Sequence, residues 1–198
     1  MKKILSVFLA ALTMMLFTAC GGSAEKTSAP EKNSAAAEVP ANKILVAYFS
    51  CTGNTKKAAL EVAELLKADT FEIVPVDPYM PADLDYNIEN CRAKVEQKDS
   101  AARPEIKNKI ENFAQYKTIV VAFPIWWGAE PRIIDTFVES YDLAGKTIVP
   151  VCTSGGSDIQ ASVNNLRELC KGATVTEGKR LGIISKDEVK AWLDSLKL

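Results

Sequence analysis

The sequence predicts an α/β fold built on an open parallel sheet, and three observations lead there. Three apolar runs, at residues 44–49, 118–123 and 147–152, are continuous rather than alternating, as in strands buried on both faces. Each run stops at a loop of small, hydroxyl-bearing or aromatic residues. Each loop is followed by apolar positions at helical spacing. Strand-to-helix turns of such a sheet lie together at the carboxyl ends of the strands, where ligands bind at the switch in strand order.

The first run, Ile44, Leu45, Val46, Ala47, Tyr48 and Phe49, passes into Ser50-Cys51-Thr52-Gly53-Asn54-Thr55. A helix follows from Asn54, marked by Ala58, Ala59, Val62, Ala63, Leu65 and Leu66. Amides at a helix start have no partner within the helix and carry the positive end of its dipole, so a phosphate fits there. Ser50, Thr52 and Thr55 add hydroxyls, although the same residue types also cap helices that bind nothing. No Lys or Arg falls inside the loop. The Walker pattern fails, because Gly53 is followed by Asn54-Thr55-Lys56-Lys57, and a Gly-x-Gly-x-x-Gly is missing.

The second run leads into Pro124-Ile125-Trp126-Trp127-Gly128-Ala129-Glu130-Pro131, ahead of a helix expected over 132–141. Two tryptophans in a loop are costly to leave in water. Packing beneath the loop would satisfy them, but a position beside an anion site and between prolines favours a flat surface for a planar ligand. The third run opens into Thr153-Ser154-Gly155-Gly156-Ser157, where glycines let backbone approach a ligand or simply turn.

Together these residues resemble the flavodoxin family, which binds flavin mononucleotide (FMN). Ser50-x-Thr52-Gly53-Asn54-Thr55, with Cys51 in the variable place, is similar to its phosphate loop. Pro124-Ile125-Trp126-Trp127-Gly128 is similar to a first flavin-ring loop, and Thr153-Ser154-Gly155-Gly156-Ser157 to the second; the likeness spans residues 43–198. The resemblance implies a doubly wound five-stranded parallel sheet in order 2-1-3-4-5 with helices on both faces. It also implies FMN at the carboxyl edge, Trp126 alone or with Trp127 stacked on the isoalloxazine, and backbone near Trp127 and Gly128 approaching flavin N5.

The remaining elements fit that architecture. Residues 70–76 are expected as the second strand, and 179–184 with 173–176 as the fifth. Helices are expected over 84–98, 158–170 and 186–196, the last with Ser185 and Glu188 as a capping box. Residues 77–117 exceed what one helix needs. They hold a loop at Asp77-Pro78-Tyr79-Met80-Pro81 and a helix start at Arg103-Pro104-Glu105. Tyr79 and Tyr86 either line the ligand pocket or pack.

The N-terminus bears on location. Lys2 and Lys3 precede a short apolar run over 4–17, and Thr18-Ala19-Cys20-Gly21 gives small residues at a cleavage point. This resembles a bacterial lipoprotein signal over 1–19, with Cys20 acylated and the protein held in the cell envelope outside the cytoplasm. Phe17 departs from that pattern, and a secretory signal cut after Ala19 is the alternative. Residues 20–42, rich in Ala, Ser, Glu, Lys and Pro, read as a tether.

Of the 24 basic and 25 acidic residues, four lysines and three glutamates precede residue 43, leaving the domain at about −2. That gives no basic footprint for nucleic acid and less acidity than family members use to dock on basic redox partners. The absence of histidine excludes Ser-His-Asp and Cys-His catalysis. Five cysteines in no CxxC pair argue against a metal cluster, and no disulfide is expected. The resemblance implies electron transfer to redox proteins or small quinone-like acceptors, with no catalytic acid or base. Three alternatives stand beside it: a two-electron reductase of quinones or using NAD(P)H, an interaction module without redox function, and a hydrolase similar to low-molecular-weight tyrosine phosphatases. In the last, Cys51 would be the nucleophile, but Lys57 stands where that family carries an arginine.

Overall fold

The computed structural model describes residues 43–182 and 184–198. The expected signal, tether and Cys20 lie outside the described residues. Six parallel-paired strands run β1 (Lys43–Tyr48), β2 (Asp69–Glu72), β3 (Tyr116–Pro124), β4 (Thr147–Thr153), β5 (Thr174–Val175) and β6 (Lys179–Leu181). Five helices alternate with them: α1 (Asn54–Leu66), α2 (Arg92–Lys98), α3 (Arg132–Glu139), α4 (Gln160–Leu169) and α5 (Lys186–Ser195). The sheet order is β2-β1-β3-β4-β5, with β6 also on β4. The expected 2-1-3-4-5 order is present.

Strand alternation divides the core into two layers. Leu45, Ala47, Ile119, Val121, Phe123 and Ile148 face Ile133, Ile134 and Phe137 of α3 and Val163 and Leu166 of α4. Val46, Tyr48, Val120, Ala122, Val149 and Val151 face Ala59 and Val62 of α1 and Val189 and Leu193 of α5. Both faces of β1, β3 and β4 are therefore buried, which is why these strands read as unbroken apolar runs. Ser185 and Glu188 form the expected capping box at the start of α5.

Four expected elements differ. The strand over 70–76 pairs with β1 only to Glu72, because Pro75 has no N–H. The chain from Val74 to Val76 turns instead to residues 105–107, with Val76 N to Glu105 O at 2.9 Å and Lys107 N to Val74 O at 2.8 Å. That pairing also takes up Arg103-Pro104-Glu105, so no helix starts there. Arg103 reaches Glu139 with both Nε and Nη2, at 2.6 and 2.8 Å.

The helix expected over 84–98 begins only at Arg92. Leu84 closes a 3-10 turn over Pro81–Leu84, and Asp85 accepts from the amide and side chain of Asn87, a local bond that competes with helix. The expected fifth strand is two short ones. Pro150 in β4 offers no N–H to an outer neighbour, and between the Ile148–Val175 and Val151–Lys179 pairs the outer strand carries one more residue than β4. Gly178 bridges the break at φ 71, where a Cβ would lie 2.9 Å from Pro150 O. Gly178→Ala is expected to destabilise the fold by about 2 kcal/mol from left-handed strain and that clash combined, read as a lower midpoint in urea unfolding; an unchanged midpoint would contradict this account of the split edge.

Candidate functional site

β1, β3 and β4 end at the same edge, and their loops meet there. Phe49 N donates to Ala122 O at 2.9 Å, after which the chain leaves the sheet. Ser50 Oγ accepts from Gly53 N at 3.1 Å and curls the loop, while Gly53 takes φ 87. No side chain caps the first turn of α1. Its free amides and the helix dipole therefore aim positive potential out of the loop, with the Thr52 and Asn54 side chains beside them. Thr55 has a different task. It is 2% exposed, and its hydroxyl sits 2.7 Å from that of Thr153, tying the first loop to the third.

Beyond β3, Ile125 N donates to Thr153 O at 2.9 Å. Trp126 and Ala129 exchange both backbone hydrogen bonds, at 2.8 and 3.1 Å, closing a two-residue turn whose central residues have φ 45 (Trp127) and φ 91 (Gly128). Those signs match a type I′ turn. Glycine takes that conformation freely, but Trp127 is held there at a cost of about 1–3 kcal/mol, which only surrounding structure can sustain. Gln97 of α2 supplies part of it, donating Nε2 to Trp126 O at 2.8 Å and to Glu130 O at 3.1 Å.

The aromatic rings divide their roles. Trp126 is buried, edge-on to Phe49 at 5.5 Å and to Tyr79 at 5.1 Å between centroids. Trp127 lies flat on Tyr86, 4.1 Å apart at 17°. Tyr79 packs, with the Arg92 guanidinium 4.0 Å over its ring, and Arg92 also binds Glu96 and both the carbonyl and carboxylate of Asp77. This pins the loop from Asp77 that carries Tyr86 to the rim. In the third loop, Gly156 N donates to Ser154 Oγ and Arg180 donates to Gly156 O at 2.8 Å.

One cavity of about 680 Å³ lies where these loops meet. It is lined by Cys51, Thr52, Asn54 and Thr55, by Pro124, Ile125 and Trp126, and by Thr153, Ser154 and Gly155. Ser50, Gly53, Trp127, Gly128, Gly156 and Ser157 stand off the lining and shape the loops that form it. Tyr86 and Leu84 close one side. Lys57 and Glu61 of α1, Leu181, Gly182 and Ile184 at and beyond the end of β6, and Val189 of α5 extend the lining; apart from Lys57, no motif marked them. Gln97 also went unmarked, since a lone Gln on a short helix carries no sequence signal.

Cys51 is exposed overall, but desolvation of its thiol against the loop, opposed by Arg92, pushes it up to about 12, which disfavours the thiolate that a phosphatase nucleophile needs. Cys91, Cys152 and Cys170 are likewise free. Among the described residues, no group of acidic or sulfur side chains is arranged to hold a metal, and no helix is long and apolar enough to cross a membrane.

Residues 43–196 match a family profile described as flavodoxin. The chain belongs to the flavodoxin family. Among solved structures, a candidate flavoprotein from Bacteroides eggerthii is 43% identical, with 79% of this chain and 98% of that one aligned at a TM-score of 0.76. Its counterpart from Bacteroides uniformis is 44% identical over 77% and 98%, at 0.74. A Lactobacillus acidophilus flavoprotein, solved in complex with FMN, shares the fold at 23% identity over 77% and 99%, with a TM-score of 0.59. Comparison with curated proteins finds no match.

For this flavodoxin-family chain the Gln97 bridge is a direct test of how the strained turn is held. Gln97→Ala removes two hydrogen bonds to carbonyls and is expected to cost about 1–3 kcal/mol in urea unfolding, and Gln97→Glu more, because it sets an acceptor against acceptors. Equal stability of all three proteins would show that the turn does not depend on this bridge.

Proposed function

We propose that this protein binds FMN in the cavity at the carboxyl edge and passes electrons through it. One observation carries the reading: three loops from adjacent strand ends converge on a single cavity, with uncapped helix amides at one end and an aromatic wall at the other. The volume lies in the range of cofactor pockets. The first-turn amides of α1 with Thr52 and Asn54 hold the phosphate, and neutral donors suffice because the helix dipole adds charge. Thr55 and Thr153 keep the phosphate loop and third loop in register. Trp126 with Ile125 gives the ring an apolar wall that excludes water, and Thr153, Ser154 and Gly155 meet its polar edge, with Gly156 and Ser157 shaping the loop behind them.

Bound FMN supplies the redox chemistry; the protein positions it and sets its surroundings. The turn at Trp127 and Gly128, just behind the lining, would bring its backbone toward the ring, and no side-chain acid or base is required. A second reading has its own support. Tyr86 stands 57% exposed on the rim, flat against Trp127, a surface suited to a flat quinone-like acceptor or a nicotinamide, as in a two-electron reductase. The domain's small net charge fits small acceptors or weakly charged redox proteins. We also propose that Cys20 is lipidated, which holds the protein outside the cytoplasm in the cell envelope.

Three measurements test this. Purified protein mixed with FMN is expected to show the bands of bound flavin, and stepwise reduction in two one-electron stages supports a carrier, whereas a single two-electron bleaching supports the reductase. Trp126→Phe is expected to keep the fold and weaken FMN by several-fold and Trp126→Ala by about tenfold or more, while Cys51→Ser leaves affinity unchanged; equal affinity for Trp126→Ala and parent would remove Trp126 from the site. Fatty-acid labelling of the full chain is expected to be lost in Cys20→Ser, and persistence of the label would refute the anchor.

A further inference from the structure

The residue after the strained turn is an acid, and it is wholly buried. Glu130 is 0% exposed and Asp135, on α3, is 1% exposed. Asn165 of α4 donates one side-chain amide to both, to Glu130 Oε1 in a very short contact and to Asp135 Oδ1 at 3.2 Å, so the two carboxyls face each other across a single donor. Their surroundings differ. Arg132 donates to Asp135 Oδ2 at 3.0 Å, and Arg103 lies 3.7 Å from the same oxygen while also pairing with Glu139. Among the described residues, no cation pairs with Glu130.

Buried polar atoms without a partner concentrate here. Of five among the described residues, four belong to this group: Glu130 Oε2, Ser162 Oγ of α4, Gln97 Oε1 of α2 and Arg132 Nε. A buried carboxylate with one bare oxygen and a second carboxylate beside it is among the costliest arrangements in a protein interior, whereas a carboxylic acid there needs only an acceptor. Desolvation dominates and raises the pKa of Glu130 from its ordinary 4.5 to about 7; Ser162, the residue's own backbone and Asn165 oppose it, and the neighbouring Asp135 adds a lesser upward push. Asp135 is raised too by burial, but Arg132, Arg103 and a hydrogen bond from Glu130 hold it down. The two environments push the pair toward one acid and one anion.

We infer that Glu130 is a positioning residue for the turn at Trp126–Ala129, acting as a neutral acid that donates to Asp135 and anchors the turn to α3 and α4. The turn is strained at Trp127, and such strain persists only where the flanks are fixed. Gln97 fixes both carbonyls that flank it, and Glu130 fixes the residue where it joins α3. Loss of the proton would set two carboxylates together next to the turn, with only Arg132 and Arg103 to neutralise them, and would loosen the wall that Trp126 presents to the cavity. The effect on FMN rests on the cofactor reading above; the effect on the turn does not.

The pH dependence has a fixed sign. Because Glu130 holds its proton more tightly folded than unfolded, its favourable contribution is complete below pH 4.5 and is lost as pH rises through about 7. The test uses full-length parent, Glu130→Gln, which mimics the neutral acid, and Asp135→Asn, across pH about 5 to about 8. Without FMN, the Tm of the parent is expected to fall as pH rises from about 5 and to level off above about 7, and its tryptophan fluorescence to shift with a midpoint near neutrality. Glu130→Gln should lose that break and exceed the parent's Tm at the alkaline end. Asp135→Asn should move the break to lower pH. With FMN, the parent's Kd should rise several-fold over the same interval and that of Glu130→Gln should stay level. A break that survives unchanged in Glu130→Gln, or a Glu130→Gln protein less stable than the parent at every pH, would overturn the inference. Failure of FMN to bind any of the three, with the fluorescence break present in the parent and absent in Glu130→Gln, would refute the cofactor reading and leave the anchor standing.

Discussion

The carboxyl edge of this protein depends on the register of three parallel strands. Val46 stands opposite Val120, Val120 opposite Val149, and the ladder continues until Pro124 faces Thr153. Because both faces of these strands are buried, a slip by one residue would exchange the side chains facing α3 and α4 for those facing α1 and α5, and the two layers are not interchangeable in volume. Burial therefore fixes where each strand stops. It delivers Ser50, Ile125 and Thr153 to one level, close enough for Ile125 N to reach Thr153 O and for Thr55 to reach Thr153. The cavity follows from strand register first and loop chemistry second.

This order explains what the sequence disclosed. The central strands were legible because burial on both faces leaves an unbroken apolar run, and the three loops because each departs from such a run. The edges of the sheet were less so, because there pairing is decided by a neighbour's backbone. Pro75 and Pro150 are plain in the sequence, yet their effect falls on other segments: one sends Val74 to Val76 toward residues 105–107, the other splits the strand across from it. The same holds within the site. Thr52 and Asn54 sit in a motif, whereas Gln97, Tyr86 and Val189 reach the cavity or its supporting turn only because helices and loops distant in sequence pack there. Trp126 was visible as an aromatic, but not its edge-on setting against Phe49 and Tyr79.

The buried polar group under the turn is a choice against stability. Replacing a buried ion cluster with apolar side chains of similar volume is often neutral or stabilising, so Glu130, Asp135, Arg132 and Asn165 are not explained by the strength of the fold alone. They are explained by geometry. An apolar contact holds a backbone loosely in direction, whereas hydrogen bonds from one amide to two carboxyls, and from Gln97 to two carbonyls, fix orientation within narrow limits. A turn that keeps Trp127 at positive φ needs that kind of constraint.

The same topology places the start of β1 and the cavity at opposite edges of the sheet. β1 begins at Lys43 on the amino edge of the sheet and spans six residues, about 20 Å of strand, before it reaches the edge that carries the cavity. Chain that precedes Lys43 therefore joins the domain at the edge remote from the site. In a parallel sheet this follows from direction alone: every strand that delivers a loop to the cavity starts at the opposite edge, so the cavity is built entirely from chain that has already crossed the core.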